Sequence, residues 1–175
     1  MGYNIFRRDR ISNIRSKGGG VLIATKNKLQ AELIIIINID HDGVEHLFLK
    51  LPIYKIIIAV IYIPPSSEII PYTKHVNIAT DLFEKHHDFK FIIIGDYNLT
   101  GITWSKSNPL QHSWSNKSTR SDKENSEAIK SAFSYMDLSQ KIPNLASKGY
   151  TLDLLFTNID ELSVYENNDF FFKNR

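Results

Sequence analysis

Phe91-Ile92-Ile93-Ile94-Gly95-Asp96-Tyr97-Asn98-Leu99-Thr100-Gly101-Ile102-Thr103-Trp104 is the stretch on which the reading of this chain turns. Its first four residues are apolar and run directly into Gly95-Asp96-Tyr97-Asn98, which predicts a central strand, buried on both faces, that ends in polar chemistry. On an extended backbone, residues two apart project to the same side, so Asp96 and Asn98 are expected to share one pocket at the strand's carboxyl end. A carboxylate there can bind a hard cation or take a proton from water, and an amide can donate to a phosphate oxygen. The same residues also fit a plain Asx turn, because Gly, Asp and Asn are turn formers.

On the N-terminal side, Lys55 to Ile63 is a second nearly continuous apolar strand. Before it, Val44 to Ile53 alternates in part, with Glu45, Leu47, Leu49 and Leu51 on one side, and Ala31 to Ile39 is β-branched. His41-Asp42-Gly43 between the last two is a hairpin signal, so they are expected to pair antiparallel in a mixed or antiparallel sheet. Asp40, His41 and Asp42 read as a polar hairpin tip more readily than as metal ligands. The strand from Lys55 ends in Ile61-Tyr62-Ile63-Pro64-Pro65-Ser66-Ser67, which puts a tyrosine hydroxyl at a strand end before a rigid turn. Tyr62 there either serves chemistry or packs half-buried on the sheet edge.

Pro71 fits the first turn of a helix, and Tyr72, Val76, Ala79 and Phe83 recur at helical spacing to form its apolar face. His86, His87 and Asp88 close that helix, where the dipole favours histidine. Residues 101 to 124 are polar and irregular, and a loop of that length is commonly functional or disordered. Trp104 within it is expected to pack under the Asp96 loop, with base stacking as the other reading. Glu127 to Leu138 reads as a second helix capped by Asn125 or Ser126. Tyr150 to Thr157 reads as a strand whose Asp153 interrupts an apolar run; that carboxylate either faces solvent on an edge strand or needs a partner. Leu162 to Tyr165 allows one more short strand.

Near the start, Arg7, Arg8, Arg10, Arg15 and Lys17 are interleaved with Tyr3, Phe6 and Ile11, which suits either a solvated edge or contact with a phosphate backbone. Gly18-Gly19-Gly20 follows without the Lys-Ser/Thr ending of a phosphate loop, and is expected to serve a close backbone approach into a strand from Val21 to Thr25. The 175 residues suit one domain with a sizeable core. With no cysteine, disulfides and thiolate zinc sites are excluded, so any metal would be held by oxygen or imidazole. A net charge of +2, from 21 Lys and Arg against 19 Asp and Glu, is too balanced to announce nucleic-acid binding through the overall field. There is no apolar run of roughly eighteen residues and no signal-peptide core after Met1, so an intracellular protein, nuclear or cytoplasmic, with no membrane partner is expected.

In order, Tyr3 to Arg10, Gly18 to Thr25, Ile61 to Ser67, Gly95 to Trp104 and Thr151 to Asn158 resemble motifs of the endonuclease/exonuclease/phosphatase superfamily. The resemblance is to the DNase I-like, apurinic-type endonuclease domain of non-long-terminal-repeat retrotransposon proteins, and it spans roughly residues 3 to 165. It implies an α/β (α+β) fold: a four-layer sandwich of two mostly antiparallel sheets flanked by helices, here incomplete. The domain is expected over residues 1–165, with 166–175 as a tail. The implied activity is Mg²⁺-dependent hydrolysis of a DNA phosphodiester, with Mn²⁺ as a substitute, nicking one strand for a reverse transcriptase domain of the same polyprotein to extend. By the resemblance, Asp96 positions and activates the attacking water and touches the metal indirectly, Asn98 holds the scissile phosphate, Tyr62 contacts it, and Asp153 orients a catalytic histidine. Arg7, Arg8, Arg10 and Trp104 are the candidate DNA contacts.

Two departures temper the expected activity. The family's asparagine and main metal-binding glutamate lie on strands before the segment matching Tyr3, and its catalytic histidine follows the position of Asp153, whereas no histidine follows His112 here. A chain lacking both ends of the domain is expected to nick weakly or not at all. The alternative is a non-catalytic, retrotransposon-derived remnant that binds DNA or a partner; another hydrolase of the superfamily, such as a phosphoinositide phosphatase or a secreted nuclease, fits the Lys17 to Ala24 and Tyr62 to Pro65 segments less well.

Overall fold

Isoleucine-rich runs broken by Gly, Pro and Asp build the strands of this chain, and two amphipathic segments build its helices. The computed structural model describes residues 2–10, 19–36, 43–105, 111–142 and 153–164. Among the described residues the strands are β1 (Tyr3–Asp9), β2 (Gly20–Lys26), β3 (Glu32–Ile34), β4 (Glu45–Leu51), β5 (Ile56–Tyr62), β6 (Lys90–Asp96), β7 (Ile102–Trp104), β8 (His112–Trp114), β9 (Ser139–Gln140) and β10 (Asp153–Thr157). The helices are α1 (Ile69–Lys85) and α2 (Arg120–Tyr135). Six strands form one mixed sheet in the order β3-β4-β5-β6-β10-β9, in which only β5 and β6 run parallel, joined by α1. The expected antiparallel pairing of β3 with β4 is present, and β4 also pairs antiparallel with β5. The tip residues Asp40 to Asp42 lie outside the described residues.

Alternation sorts every central strand into two faces. Phe48, Ile57, Ala59, Ile61, Phe91, Ile93, Leu154 and Phe156 point to one side, where they form a single core with Tyr72, Val76, Ala79 and Leu82 of α1 and Ile129 and Phe133 of α2. On the other side, the antiparallel ribbon β1-β2 lies over β4 and β5. It buries Leu47, Leu49 and Leu51; farther across the sheet Leu155 is also buried on this face, whereas Ile94 of β6 and Asp153 of β10 are exposed. These elements make an α/β sandwich, as expected. Among the described residues it has three layers: a helix pair, the six-stranded sheet and the ribbon.

Three local expectations change. The β6 strand is buried on one face only: Phe91 and Ile93 are sealed by the helices, whereas Ile94 on the other face is 37% exposed. The polar stretch from 101 to 124 is not a bare loop, since β7 and β8 pair as a hairpin within it and α2 begins at Arg120. The cap of α2 is therefore Thr119, whose hydroxyl accepts from the Asp122 N–H while Asp122 accepts from the Thr119 N–H, a capping box. Asn125 and Ser126, expected as caps, are buried inside the helix, where Asn125 donates to the Ser67 carbonyl and Ser126 accepts from the Trp114 indole. No strand is found over 162–164, and residues 165–175, including the expected tail, lie outside the described residues, as do 150–152. No helix among the described residues is long and apolar enough to cross a membrane.

Candidate active site at the uncovered end of the sheet

Register decides which side chains meet. Glu45 pairs with Tyr62, Tyr62 with Asp96, and Asp96 with Asp153, so four polar residues from β4, β5, β6 and β10 form one row across the sheet. The row lies on the face away from the helices, at the carboxyl ends of the parallel strands β5 and β6. Gly95 permits this alignment: a Cβ there would collide with the Ile61 carbonyl oxygen of β5. The Ile63 N–H then bonds the Asp96 carbonyl at 2.9 Å, which fixes the height of Asp96 against Tyr62. At the far end of β6, the Thr157 hydroxyl donates to the Phe91 carbonyl (2.6 Å) and the Phe91 N–H donates to Asn158 Oδ1 (2.8 Å). Thr157 and Asn158 thus hold the strand and are remote from the row.

Asp96 and Asn98 are neighbours, though not by the extended geometry expected of them. The strand ends at Asp96, and Asn98 takes a left-handed backbone conformation with φ of 48°. Asp96 Oδ1 accepts from the Asn98 N–H at 3.0 Å, an Asx turn, and the Asn98 side-chain amide donates to the Ile63 carbonyl at 2.9 Å. The turn therefore delivers the Asn98 amide to the end of β5, next to Tyr62. Tyr97 between them points the other way, fully buried, with its hydroxyl 3.0 Å from His75 Nε2. Its carbonyl accepts from the Tyr72 hydroxyl.

Asp153 opens β10 and is exposed, facing Asp96 across the strand pair. Desolvation, and then the charge of Asp96, raise its carboxyl pKa above the ordinary aspartate value. Exposed to solvent, Asp153 needs no buried partner, although β10 is not an edge strand; its neighbour across the strand pair is a second carboxylate, which favours a cation or a proton between them. Among the described residues, no three His, Cys, Asp or Glu side chains are grouped to hold a metal ion.

The candidate DNA contacts separate. Arg10 reaches the row: its Nε donates to Glu45 Oε1 at 2.5 Å, and its guanidinium lies 5.0 Å from the Tyr62 ring centroid. Arg7 is on the outward side of the ribbon, paired with Asp9 at 2.9 Å, and Arg8 alternates to the half-buried inward side. Trp104 is 2% exposed and packs on Phe156 and His112, which corrects the stacking reading: no ring face is left for a base. The residue that sequence reasoning missed is Glu45. Its side of the strand was legible from the alternation with Leu47, Leu49 and Leu51, but its partner, 35 residues earlier, was not.

Compared with protein-family models and with curated proteins, the chain matches none.

Proposed function

We propose that this row is the phosphodiester site of a metal-dependent DNA endonuclease of the retrotransposon type, built to nick one strand for a reverse transcriptase domain. The observation that carries the reading is the in-register row Tyr62–Asp96–Asp153 with the Asn98 amide beside it, where β5 and β6 end and β10 begins. Each residue has a role in phosphoryl transfer. Asp96 orients and deprotonates the attacking water, the Asn98 amide and the Tyr62 hydroxyl donate to phosphate oxygens, and Asp153 holds a proton-carrying group in place. Two adjacent carboxylates, one with its pKa raised by burial and by its neighbour, suit a hard divalent cation such as Mg²⁺ or Mn²⁺. Asp96 and Asp153 would hold it, and when bound it supplies positive charge against the oxygens that become more negative as the phosphodiester breaks. The substrate implies action where DNA is accessible, in the nucleus or, during reverse transcription, the cytoplasm.

The test is nicking of supercoiled plasmid with Mg²⁺ by three proteins: this chain, a version extended at both ends to carry the family's metal-binding glutamate and catalytic histidine, and that version with Asp96→Ala. The expected result is nicking by the extended version alone, with Asp96→Ala lowering the rate by at least about a thousandfold. A folded extended version that never nicks would overturn the catalytic reading in favour of a remnant that only binds DNA or a partner.

A further inference from the structure

The row contains one feature that phosphoryl transfer by Tyr62, Asp96, Asn98 and Asp153 does not use: a buried carboxylate tied to an arginine. Glu45 is 4% exposed, so its charge needs a partner, and Arg10 from the other sheet provides it through Nε. That bond raises the Arg10 pKa, with burial opposing it, so the guanidinium stays charged. With Glu45 and Tyr62 as its neighbours, the five-donor guanidinium keeps N–H donors for a further acceptor. The glycine tract makes room for the group. A Cβ on Gly19 would lie 2.6 Å from the Arg10 guanidinium carbon, so a side chain there would push Arg10 from its present position, and the φ of +117° would strain it.

We infer that Glu45 and Gly19 hold Arg10 over Tyr62 as a clamp for a DNA phosphate adjoining the row, Arg10 being the binding group and Glu45 a positioning residue. The inference rests on the function proposed above and adds which arginine engages the backbone and why β4 begins with a buried acid. Arg10 is the contact and Arg7 is not, since Arg7 lies on the outward side of the ribbon, turned away from the row.

The experiment is fluorescence anisotropy of a labelled short DNA duplex with this chain in Mg²⁺ buffer, repeated over a series of salt concentrations, with thermal melting of each variant as a folding control. Arg10→Met is expected to weaken binding roughly tenfold, the order of one charge-assisted phosphate contact, and to lower the salt slope by about 0.9. Arg7→Met removes the same charge and is expected to change affinity less than about twofold. Arg10→Lys keeps the charge and so keeps the salt slope, yet loses affinity because an ammonium cannot reproduce the fork. Glu45→Gln is the sharpest arm. It removes a negative charge, so unspecific attraction would tighten binding, whereas loss of positioning weakens it. If Arg10→Met fails to fold, the Arg10→Lys and Glu45→Gln arms decide. Equal effects of Arg7→Met and Arg10→Met, or tighter binding by Glu45→Gln, would overturn the clamp while leaving the proposed function standing. A folded parent chain that binds no duplex would likewise overturn the clamp, whereas the proposed function stands or falls with nicking by the extended version.

Discussion

The two faces of the six-stranded sheet are made by alternate residues of the same strands, and they have opposite characters. Toward the helices, Phe91, Ile93, Leu154 and Phe156 are fully buried and their polar neighbours are few. Away from the helices, the residues in between are Ile94, Asp96, Asp153 and Tyr62, part exposed and bearing like charges side by side. One residue of register separates a face packed throughout against the helices from one that, beyond the ribbon, sets like charges side by side at a cost in stability. Substitutions on the two faces should therefore differ in sign as well as in size.

The largest effect is expected on the covered face. Phe156 packs edge-on against Phe133 at 4.7 Å and against Trp104 and Tyr97 at 5.6 and 5.7 Å between ring centroids. Phe156→Ala should cost about 3–5 kcal/mol, read as a shift of the urea midpoint, because the cavity sits where both helices meet the sheet. A loss of less than about 1 kcal/mol would mean that the helix layer is loosely packed and that the contrast between the faces is smaller than the burial indicates.

Acid should act through the covered face next. His75 is fully buried, stacked on His46 at 5.2 Å and bonded to the Tyr97 hydroxyl, and burial first, then His46, lower its pKa well below the usual value. The unfolded chain therefore binds this proton more readily than the folded one below about pH 6.5. Stability is full above that pH and falls as the pH drops below it, by up to about 1.4 kcal/mol per pH unit for this one group. Replacing the ring without a titrating nitrogen, as in His75→Phe, should flatten the unfolding profile between pH 6.5 and 5 relative to the parent. An unchanged profile would assign the acid sensitivity elsewhere.

Much of the covered face was legible in the sequence and much of the uncovered one was not, for physical reasons. Helix α1 showed itself through Tyr72, Val76 and Ala79, because a stripe at helical spacing records only what one element buries. Helix α2 hid its first turns, since Arg120 to Asn125 is polar throughout and the Thr119–Asp122 capping box was overlooked in favour of Asn125 and Ser126. Those two are buried by tertiary partners, Ser67 and Trp114, which leave no local pattern. The Gly-Asp-x-Asn stretch does end β6 with Asp96 and Asn98 as neighbours, but by another geometry: its Asn98 is delivered by a left-handed turn rather than by an extended strand. The pairing of Arg10 with Glu45 joins two sheets, and no periodicity within either one records it.

The smallest predicted effect has the opposite sign and tests the uncovered face directly. Asp153 has a carboxyl pKa above the ordinary value, so the folded state holds that proton more tightly than the unfolded chain does. As pH rises from the unfolded pKa to the folded one, the unfolded chain loses the proton first and stability falls; above both values the cost is constant. Asp153→Asn removes that cost at neutral pH and should stabilise the fold, by only a few tenths of a kcal/mol because the group is exposed and solvent screens its neighbour. Asp96→Asn separates the two causes. It removes the facing charge and leaves burial in place, so the Asp153 carboxyl, followed by carbon NMR against pH, should titrate lower than in the parent while remaining above the ordinary value. An Asp153 that titrates identically in both proteins would mean that burial alone raises it and that the carboxylates do not act as a pair. The reason for expecting a cation between them would then be gone.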